Sequence, residues 1–307
     1  MKKEIAAFIF PAFGKPYTGF KNKGLDEYQE RLRDYLSTAS QLVSINNIKF
    51  ERACNGIIED DLHAHYSCYI NSCIISDILK DRNIHPQYAV PFSMGLYAAL
   101  YYTSSVSFEN LLLFMHNQLA SALNTLNDVQ YGMVSIVGLP FHEVEELIRN
   151  KEMEVEVVDA VNELVQVVAG KRVELEKLML IAKENGSSHA RMLPVSLPYH
   201  SSYMKKIKTI VEDLLLQIEI LTPEYPIISN SNQKVLTTKQ EIRNELANNI
   251  SGTVHWLNTM NKMHELGINV LIECGLSNAL CKLVKLFNSD FQVYHPRKFS
   301  KLFRSIA

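Results

Sequence analysis

Residues 87–100 decide the fold, and they read Gln-Tyr-Ala-Val-Pro-Phe-Ser-Met-Gly-Leu-Tyr-Ala-Ala-Leu. The stretch predicts a short buried strand, a tight turn that holds Ser93, and a helix that starts after the turn. The turn matches the G-x-S-x-G nucleophile elbow except at its first glycine, which is Pro91. In such an elbow the serine hydroxyl is exposed, and the N–H of Met94 lies at a helix N-terminus that favours negative charge. Ordinary turns share this pattern, but the flanking strand and helix favour a nucleophilic serine.

The composition is that of a globular protein of about two average domains, or of one enlarged α/β domain with an insertion. The 307 residues carry 31 Lys and Arg against 33 Asp and Glu, a net charge of −2, which leaves no basic surface for nucleic acid or an anionic membrane. The five cysteines form no C-x-x-C pair, so we expect no disulfide framework and a cytoplasmic location. No apolar run reaches the ~18 residues that a membrane span needs.

The order of the elements predicts an α/β fold with an inserted subdomain. The apolar run of residues 5–10 is typical of a buried parallel strand, and the alternative of a signal peptide lacks a long enough core. Residues 57–82 have helical spacing. Residues 128–196 predict strands and helices in the order βαββαβ, which is the ferredoxin-like arrangement. We therefore expect an α/β-hydrolase-like core with a parallel sheet over 1–127 and 197–307, and a ferredoxin-like subdomain over 128–196.

A nucleophilic serine needs a base, and His200 is the histidine whose position fits. It follows Leu-Pro-Val-Ser-Leu-Pro-Tyr, where the chain returns from the predicted insertion to the main sheet and begins a helix. The one acid that could complete a triad is Asp159, which falls inside the small subdomain, so the spacing predicts a Ser–His dyad. His63 and His65 lie near Cys68, but no zinc-like set of four ligands follows, and we expect no metal.

The chain resembles the malonyl-CoA:acyl carrier protein transacylase family, which includes the acyltransferases of polyketide synthases. Several ordered motifs over nearly the whole chain carry the resemblance. They are Phe8-Ile-Phe-Pro11 with Gly14, Ser93-Met-Gly-x-Tyr-Ala-Ala-Leu100, Asn162-x-x-x-Gln166-Val-Val-Ala-Gly170, Leu193-Pro-Val-Ser-x-Pro-x-His200, Pro226-x-x-Ser-Asn230, Val254-x-Trp256 and Glu273-x-Gly275.

The resemblance implies a covalent mechanism in which Ser93 attacks an acyl thioester and His200 moves the proton. It places a backbone carbonyl at about Asn249 against the imidazole, and an oxyanion hole at the backbone N–H groups of Met94 and Phe13. It implies acyl carrier protein as the partner, acyl-CoA as a further donor, no cofactor and a monomer. The residues that it places around the acyl group are Gln118, Phe92, Tyr199 and Asn162.

One departure from the family bears on the substrate. Family members that use malonyl groups carry an arginine 25 residues beyond the serine, and Gln118 stands at that position. Without a buried charge partner, the binding of a carboxylate is weaker by about 2–5 kcal/mol. The preference for malonyl should therefore fall by about 30- to 3,000-fold. A one-position misalignment, with Gln118 solvated on its helix, is the alternative. The exchange resembles the acyl hydrolases of trans-acyltransferase polyketide synthases.

These observations leave three functions open. The first is an acyl hydrolase that removes acetyl and longer acyl groups from acyl carrier protein, an editing role in polyketide biosynthesis. The second is a transacylase that loads acyl units onto the carrier protein. The third is a docking module without catalysis, which has no physical need to keep both Ser93 and His200. Lys205 and Lys206 could meet an acidic carrier protein, although lysines on a helix are also simply solvated.

Overall fold

A computed structural model describes residues 4–12, 25, 27–287 and 290–306 of the chain. Its ten strands are β1 (Ala6–Phe10), β2 (Tyr88–Pro91), β3 (Tyr131–Val137), β4 (Val155–Asn162), β5 (Val165–Lys171), β6 (His189–Met192), β7 (Ile227–Ile228), β8 (Val235–Leu236), β9 (Val270–Glu273) and β10 (Gln292–Tyr294). The α-helices of the same residues are α1 (Tyr28–Leu42), α2 (Asn47–Cys54), α3 (Asp61–Asp81), α4 (Gly95–Tyr102), α5 (Phe108–Thr125), α6 (Phe141–Asn150), α7 (Arg172–Glu184), α8 (Lys208–Leu216), α9 (Lys239–Asn248), α10 (Trp256–Glu265), α11 (Ala279–Phe287) and α12 (Phe299–Ile306).

Six strands form a mostly parallel main sheet in the order β10-β9-β1-β2-β7-β8. The strands from β10 to β7 run parallel, and β8 pairs antiparallel with β7. The central strand β1 lies between β2 and β9, and its residues 7–10 are buried. A strand with both faces covered needs a continuous apolar run, which the sequence supplies here. The prediction of an α/β fold with a parallel sheet is confirmed.

The carboxyl ends of the parallel strands meet at one edge of the main sheet, where α/β folds hold their ligands. Pro11 follows β1, Ser93 follows β2 and Gly275 follows β9 at this edge. The helix α4 leaves directly from the turn after β2, and its residues 95–100 are all buried. The nucleophile turn is therefore held between the central strands and a helix of the core.

The second sheet is antiparallel and has the order β4-β5-β3-β6. With α6 and α7 it follows the sequence βαββαβ, and it surrounds its own small core of Val134, Ile136, Leu175 and Leu178. The inserted ferredoxin-like unit is therefore present, within residues 131–192. We retain the boundaries at 128 and 196 as a prediction.

Two predicted helices begin later than expected. The helix expected over 57–82 is α3, which starts at Asp61 because the side chain of Asp60 accepts the His63 N–H at 2.9 Å as an N-cap. The chain after His200 is a 3₁₀ helix over Ser202–Ile207 before α8 begins at Lys208. Among the helices of the described residues, none has the length and apolar character that crossing a membrane requires.

Candidate active site

Ser93 lies in a strained turn that presents its side chain at the edge of the main sheet. Its φ of 54° is in the left-handed region, which costs a residue with a side chain about 1–3 kcal/mol. The turn is fixed on one side by the Phe92 N–H, which donates to the Phe10 carbonyl at 2.8 Å, and on the other by the Gly95 N–H, which donates to the Phe92 carbonyl at 2.9 Å. Strain of this kind at a serine between a strand and a helix is typical of a nucleophile elbow.

Gly95 is required because α4 starts against the backbone of β1. A Cβ at this position would lie 2.1 Å from the Phe10 carbonyl oxygen and 2.7 Å from its carbon. These are backbone atoms of the central strand, which cannot move aside. The glycine of the elbow pattern therefore has a packing reason here, and the proline at its first position ends β2.

His200 meets Ser93 from the other side of the site. Its Nε2 lies 2.6 Å from Ser93 Oγ, so the hydroxyl donates to the ring. His200 itself has a φ of 66°, and its backbone N–H donates to the Ile250 carbonyl at 2.8 Å. The two residues that the sequence selected, 107 positions apart, are thus in hydrogen-bond contact and are both held in strained backbone conformations.

A backbone carbonyl orients the imidazole, and it belongs to Gly252, in the same loop as the predicted Asn249. The Nδ1–H of His200 donates to the Gly252 carbonyl at 3.0 Å. The Asn249 carbonyl lies close enough to raise the pKa of His200 as well. A carbonyl acceptor has no side-chain signature, which is why the sequence placed it only approximately.

Burial controls the charge of His200. Desolvation lowers the pKa of the imidazole to about 4, the carbonyls of Gly252 and Asn249 raise it, and the neighbouring His65 lowers it further. The ring is therefore neutral at physiological pH, with its free lone pair on Nε2 facing the serine hydroxyl. A neutral imidazole in this position can accept the serine proton. The carboxyl of Asp159 is bonded elsewhere, to the Trp256 N–H.

The predicted oxyanion hole lies partly outside the described residues. Met94 immediately precedes α4, and within the described parts of the chain no acceptor is recorded for its backbone N–H. An unbonded N–H at a helix N-terminus, next to the nucleophile, is suited to a developing oxyanion. Phe13, the second predicted donor, is outside the described residues.

Gln118 is completely buried on α5, so the alternative of a solvated helix residue is wrong. Its Oε1 accepts the hydroxyl of Tyr97, which lies one helical turn after Ser93 on α4 and also interacts with the Asn249 side chain. Its Nε2 is buried and has no hydrogen-bond partner among the described residues. Gln118 thus occupies a neutral polar site linked through Tyr97 to the loop beside His200.

The other predicted acyl-pocket residues have distinct surroundings. Phe92 is half-buried, and its ring packs edge-on against the indole of Trp256 at 5.0 Å between centroids. Tyr199 is buried, and its hydroxyl donates to Asp61 at 2.7 Å. Asn162 accepts the Leu164 N–H at 2.9 Å and closes the turn between β4 and β5. For Asn162 this is a local structural contact, and no recorded bond links it to Ser93 or His200.

Sequence reasoning missed a buried cluster at the start of α3. The carboxylate of Asp61 accepts the Ser196 N–H at 3.1 Å as well as the Tyr199 hydroxyl, so it fixes the segment that leads to His200. His65, one turn along α3, packs with its ring tilted against that of Tyr199, 5.6 Å between centroids, and its Nδ1 lies 2.7 Å from the Asp61 carbonyl oxygen. The contacts of Asp61 with Ser196 and Tyr199 span 135 and 138 positions, and no local pattern could have indicated them. No group of three potential metal ligands occurs in the ranges that the structure describes.

Comparisons with known proteins find transacylases that are similar to this chain in sequence. The malonyl CoA-acyl carrier protein transacylase of Bacillus subtilis strain 168 is 24% identical over 287 residues, which are 92% of this chain and 90% of that protein. The enzyme of the same name from Staphylococcus aureus strain MRSA252 is 24% identical over 215 residues, 69% of this chain and 70% of its own length. The chain is therefore similar in sequence to these transacylases over most of its length. No protein-family model matches it.

Solved transacylases share the fold over nearly the full chain. The malonyl CoA-acyl carrier protein transacylase of Coxiella burnetii superposes with a TM-score of 0.86 at 21% identity, covering 99% of this chain and 96% of that one. A malonyl-transacylase in complex with a type II polyketide acyl-carrier protein superposes with a TM-score of 0.85 at 20% identity, covering 95% and 96%. The resemblance predicted from the motifs is confirmed at the level of the transacylase family.

Proposed function

We propose that this protein transfers acyl groups between thioesters and acyl carrier protein through an ester on Ser93. The observation that carries the proposal is the 2.6 Å contact between Ser93 Oγ and His200 Nε2 on a strained elbow. The homologous transacylases named above support the reaction class, and the solved complex of a malonyl-transacylase with an acyl-carrier protein supports the partner. Loading of a carrier protein, second in the sequence analysis, is thus the better-supported function.

The first half of the reaction forms the acyl-enzyme. Ser93 Oγ attacks the thioester carbonyl carbon while its proton passes to His200 Nε2. The carbonyl oxygen becomes negatively charged beside the Met94 N–H. The C–S bond then breaks, and the proton on Nε2 goes to the leaving thiolate. Donation from Nδ1–H to the Gly252 carbonyl keeps Nε2 as the ring nitrogen that accepts the proton and then gives it up.

The second half returns the enzyme to its starting state. The acceptor thiol gives its proton to His200 Nε2, and its sulfur attacks the carbonyl carbon of the Ser93 ester. The C–O bond to Ser93 breaks, and Oγ takes the proton back. If water replaces the thiol in this step, the same residues release a free carboxylic acid. The choice between transfer and hydrolysis therefore depends on which nucleophile reaches the ester.

We also propose that the acyl group is uncharged. A malonyl carboxylate next to Gln118 would face a neutral amide, and none of the described lysines or arginines is buried. Arg and Lys are absent from residues 93–126 altogether. Since a buried carboxylate without a cation is strongly disfavoured, acetyl and longer acyl groups are the better substrates.

The second candidate function is hydrolytic editing, and the same residue favours it. An enzyme that accepts neutral acyl groups and not malonyl is suited to clearing acyl groups that should not remain on a carrier protein. We therefore keep the acyl hydrolase of polyketide assembly as an alternative outcome for this site, with the same Ser93 and His200 chemistry.

One partition experiment separates the two functions. The protein is mixed either with acetyl-CoA and holo-acyl carrier protein or with acetyl-carrier protein alone. In both mixtures, acetyl-carrier protein and free acetate are quantified over time. A transacylase produces acetyl-carrier protein in the first mixture and little acetate, whereas a hydrolase empties the carrier in the second. Ser93→Ala and His200→Ala should each lower the rate by about 10⁴-fold or more. A Ser93→Ala variant with the wild-type rate would refute both functions.

A further inference from the structure

The loop between α9 and α10 holds the base in place, and we call residues 249–255 the acceptor loop. It provides two carbonyls to His200: Gly252 accepts from Nδ1 at 3.0 Å, and Ile250 accepts from the backbone N–H at 2.8 Å. The orientation of the imidazole therefore depends on where this loop lies, and the loop has no regular secondary structure of its own.

The acceptor loop is anchored to the inserted subdomain. The Val254 N–H donates to the Val158 carbonyl at 2.9 Å, and Val254 forms a parallel bridge with Asp159. Directly after the loop, the Trp256 N–H at the start of α10 donates to Asp159 Oδ1 at 3.2 Å. Two neighbouring residues of β4 thus hold the end of the loop, one through its backbone and one through its side chain.

The shape of β4 aims the Asp159 side chain at this junction. The pairing between β4 and β5 shifts register between Val157 and Asp159, as it does at a β-bulge, which turns a side chain away from the regular pleat. The side chain is almost fully buried, with 4% of its surface exposed. Burial raises the pKa of the carboxyl to about 8, and the bond from Trp256 lowers it, so the group is mostly uncharged at neutral pH.

We propose that Asp159 is a positioning residue that fixes the acceptor loop, so that the Gly252 carbonyl stays on His200 Nδ1. This rests on the proposed function, because it takes His200 as the base. A packed contact runs beside the hydrogen bond: the ring of Trp256 lies against Phe92, the residue before the nucleophile. The inserted subdomain then helps to position both Ser93 and His200, although neither residue belongs to it.

Two substitutions separate positioning from simple stability. Asp159→Asn is uncharged, keeps an oxygen at Oδ1 and should react like the wild type. Asp159→Ala removes the acceptor, leaves the Trp256 N–H unpaired and lets the loop move. Since a 1 Å misplacement of a catalytic group costs about 100-fold, we expect Asp159→Ala to lower kcat by about 10- to 100-fold with KM unchanged.

The matched control is Asp77→Ala, because Asp77 is a half-buried acid that accepts the hydroxyls of Tyr35 and Tyr101 between α1, α3 and α4. This change should lower the melting temperature without lowering kcat. Asp159→Leu, which fills the volume without an acceptor, replaces Asp159→Ala if the latter does not fold. Thermal unfolding by circular dichroism is recorded for every variant.

Each variant is assayed in two ways, by steady-state acetyl transfer and by the rate at which a fluorophosphonate modifies Ser93. The second assay reads the Ser–His pair without any acyl substrate. If the wild type reacts with the fluorophosphonate but transfers and hydrolyses no acyl group, the proposed function fails and the positioning role is still measured. A folded Asp159→Ala or Asp159→Leu with the wild-type kcat and fluorophosphonate rate, or an Asp159→Asn as slow as either, would overturn the inference.

Discussion

Replacing Gln118 with arginine tests the proposed neutral acyl pocket, because the substitution should let the site accept malonyl groups. Gln118 is completely buried, its Oε1 accepts the Tyr97 hydroxyl, and its Nε2 has no partner among the described residues. Among the described residues, a carboxylate beside Gln118 would meet a neutral amide and no buried cation. A guanidinium can form a bidentate pair with it, and close charge pairs of this kind are worth about 2–5 kcal/mol.

At about 1.4 kcal/mol for each factor of ten, the malonyl-to-acetyl ratio of Ser93 acylation should rise by about 30- to 3,000-fold in Gln118→Arg. Acylation by acetyl groups should slow, because the new buried charge then lacks a partner. Gln118→Leu is the matched control, since it removes the amide without adding charge and should leave the ratio low. Gln118→Lys should gain less than arginine, because an ammonium cannot form the bidentate pair.

The assay is a competition between acetyl-CoA and malonyl-CoA at equal concentration, with the two acyl-enzymes counted by their masses. An unchanged ratio in a folded Gln118→Arg variant would show that Gln118 does not face the acyl group. A wild type that already prefers malonyl would refute the neutral pocket directly.

Three further predictions test the charges of the fold. Burial lowers the pKa of His200 to about 4, and the neutral ring is the active form. The value of kcat/KM should therefore stay constant from neutral pH to about 5 and fall only as pH approaches 4. A fall centred on pH 6–7 would contradict this prediction. The pKa of Asp159 is raised to about 8 in the folded protein, so its stabilising contribution is lost as pH rises from about 4 to 8. In urea unfolding, the free energy of unfolding of Asp159→Asn should therefore gain about 4 kcal/mol over that of the wild type between pH 5 and pH 8, and equal pH dependences would refute the buried acid. The double substitution Lys205→Glu and Lys206→Glu should weaken binding of an acidic carrier protein. The charge-matched control is Lys177→Glu with Lys183→Glu on α7. Unchanged affinity in the first variant would show that Lys205 and Lys206 are not part of the docking surface.

The features that the sequence predicted are those with a local signature. The apolar run of β1, the serine turn with Gly95, and the βαββαβ order each depend on neighbours in the chain, and each is present. His200 could be selected because few histidines follow a motif at the return to the main sheet. The spacing from Ser93 was enough to show that Gln118 stands where the family has arginine. It did not show that Gln118 is buried, because a glutamine on a helix can face either the core or the solvent.

The features that the sequence missed depend on backbone atoms or on contacts between residues far apart in the chain. Gly252 orients His200 through a carbonyl, which every residue carries, so no residue type marks it. Asp61 bonds Tyr199 across 138 positions, and Asp159 bonds the start of α10 across 97. Phe13 lies outside the described residues, and its role as an oxyanion donor stays a prediction.

The measurement that tests the central claim most directly is the intact mass of the protein after brief mixing with acetyl-CoA and no carrier protein. The dyad predicts a gain of one acetyl group on the peptide that contains Ser93, no gain in Ser93→Ala, and loss of the group when holo-acyl carrier protein is added. A wild type that stays unmodified while acetyl groups still reach the carrier, or one that is acetylated at a residue other than Ser93, would contradict the acyl-enzyme mechanism.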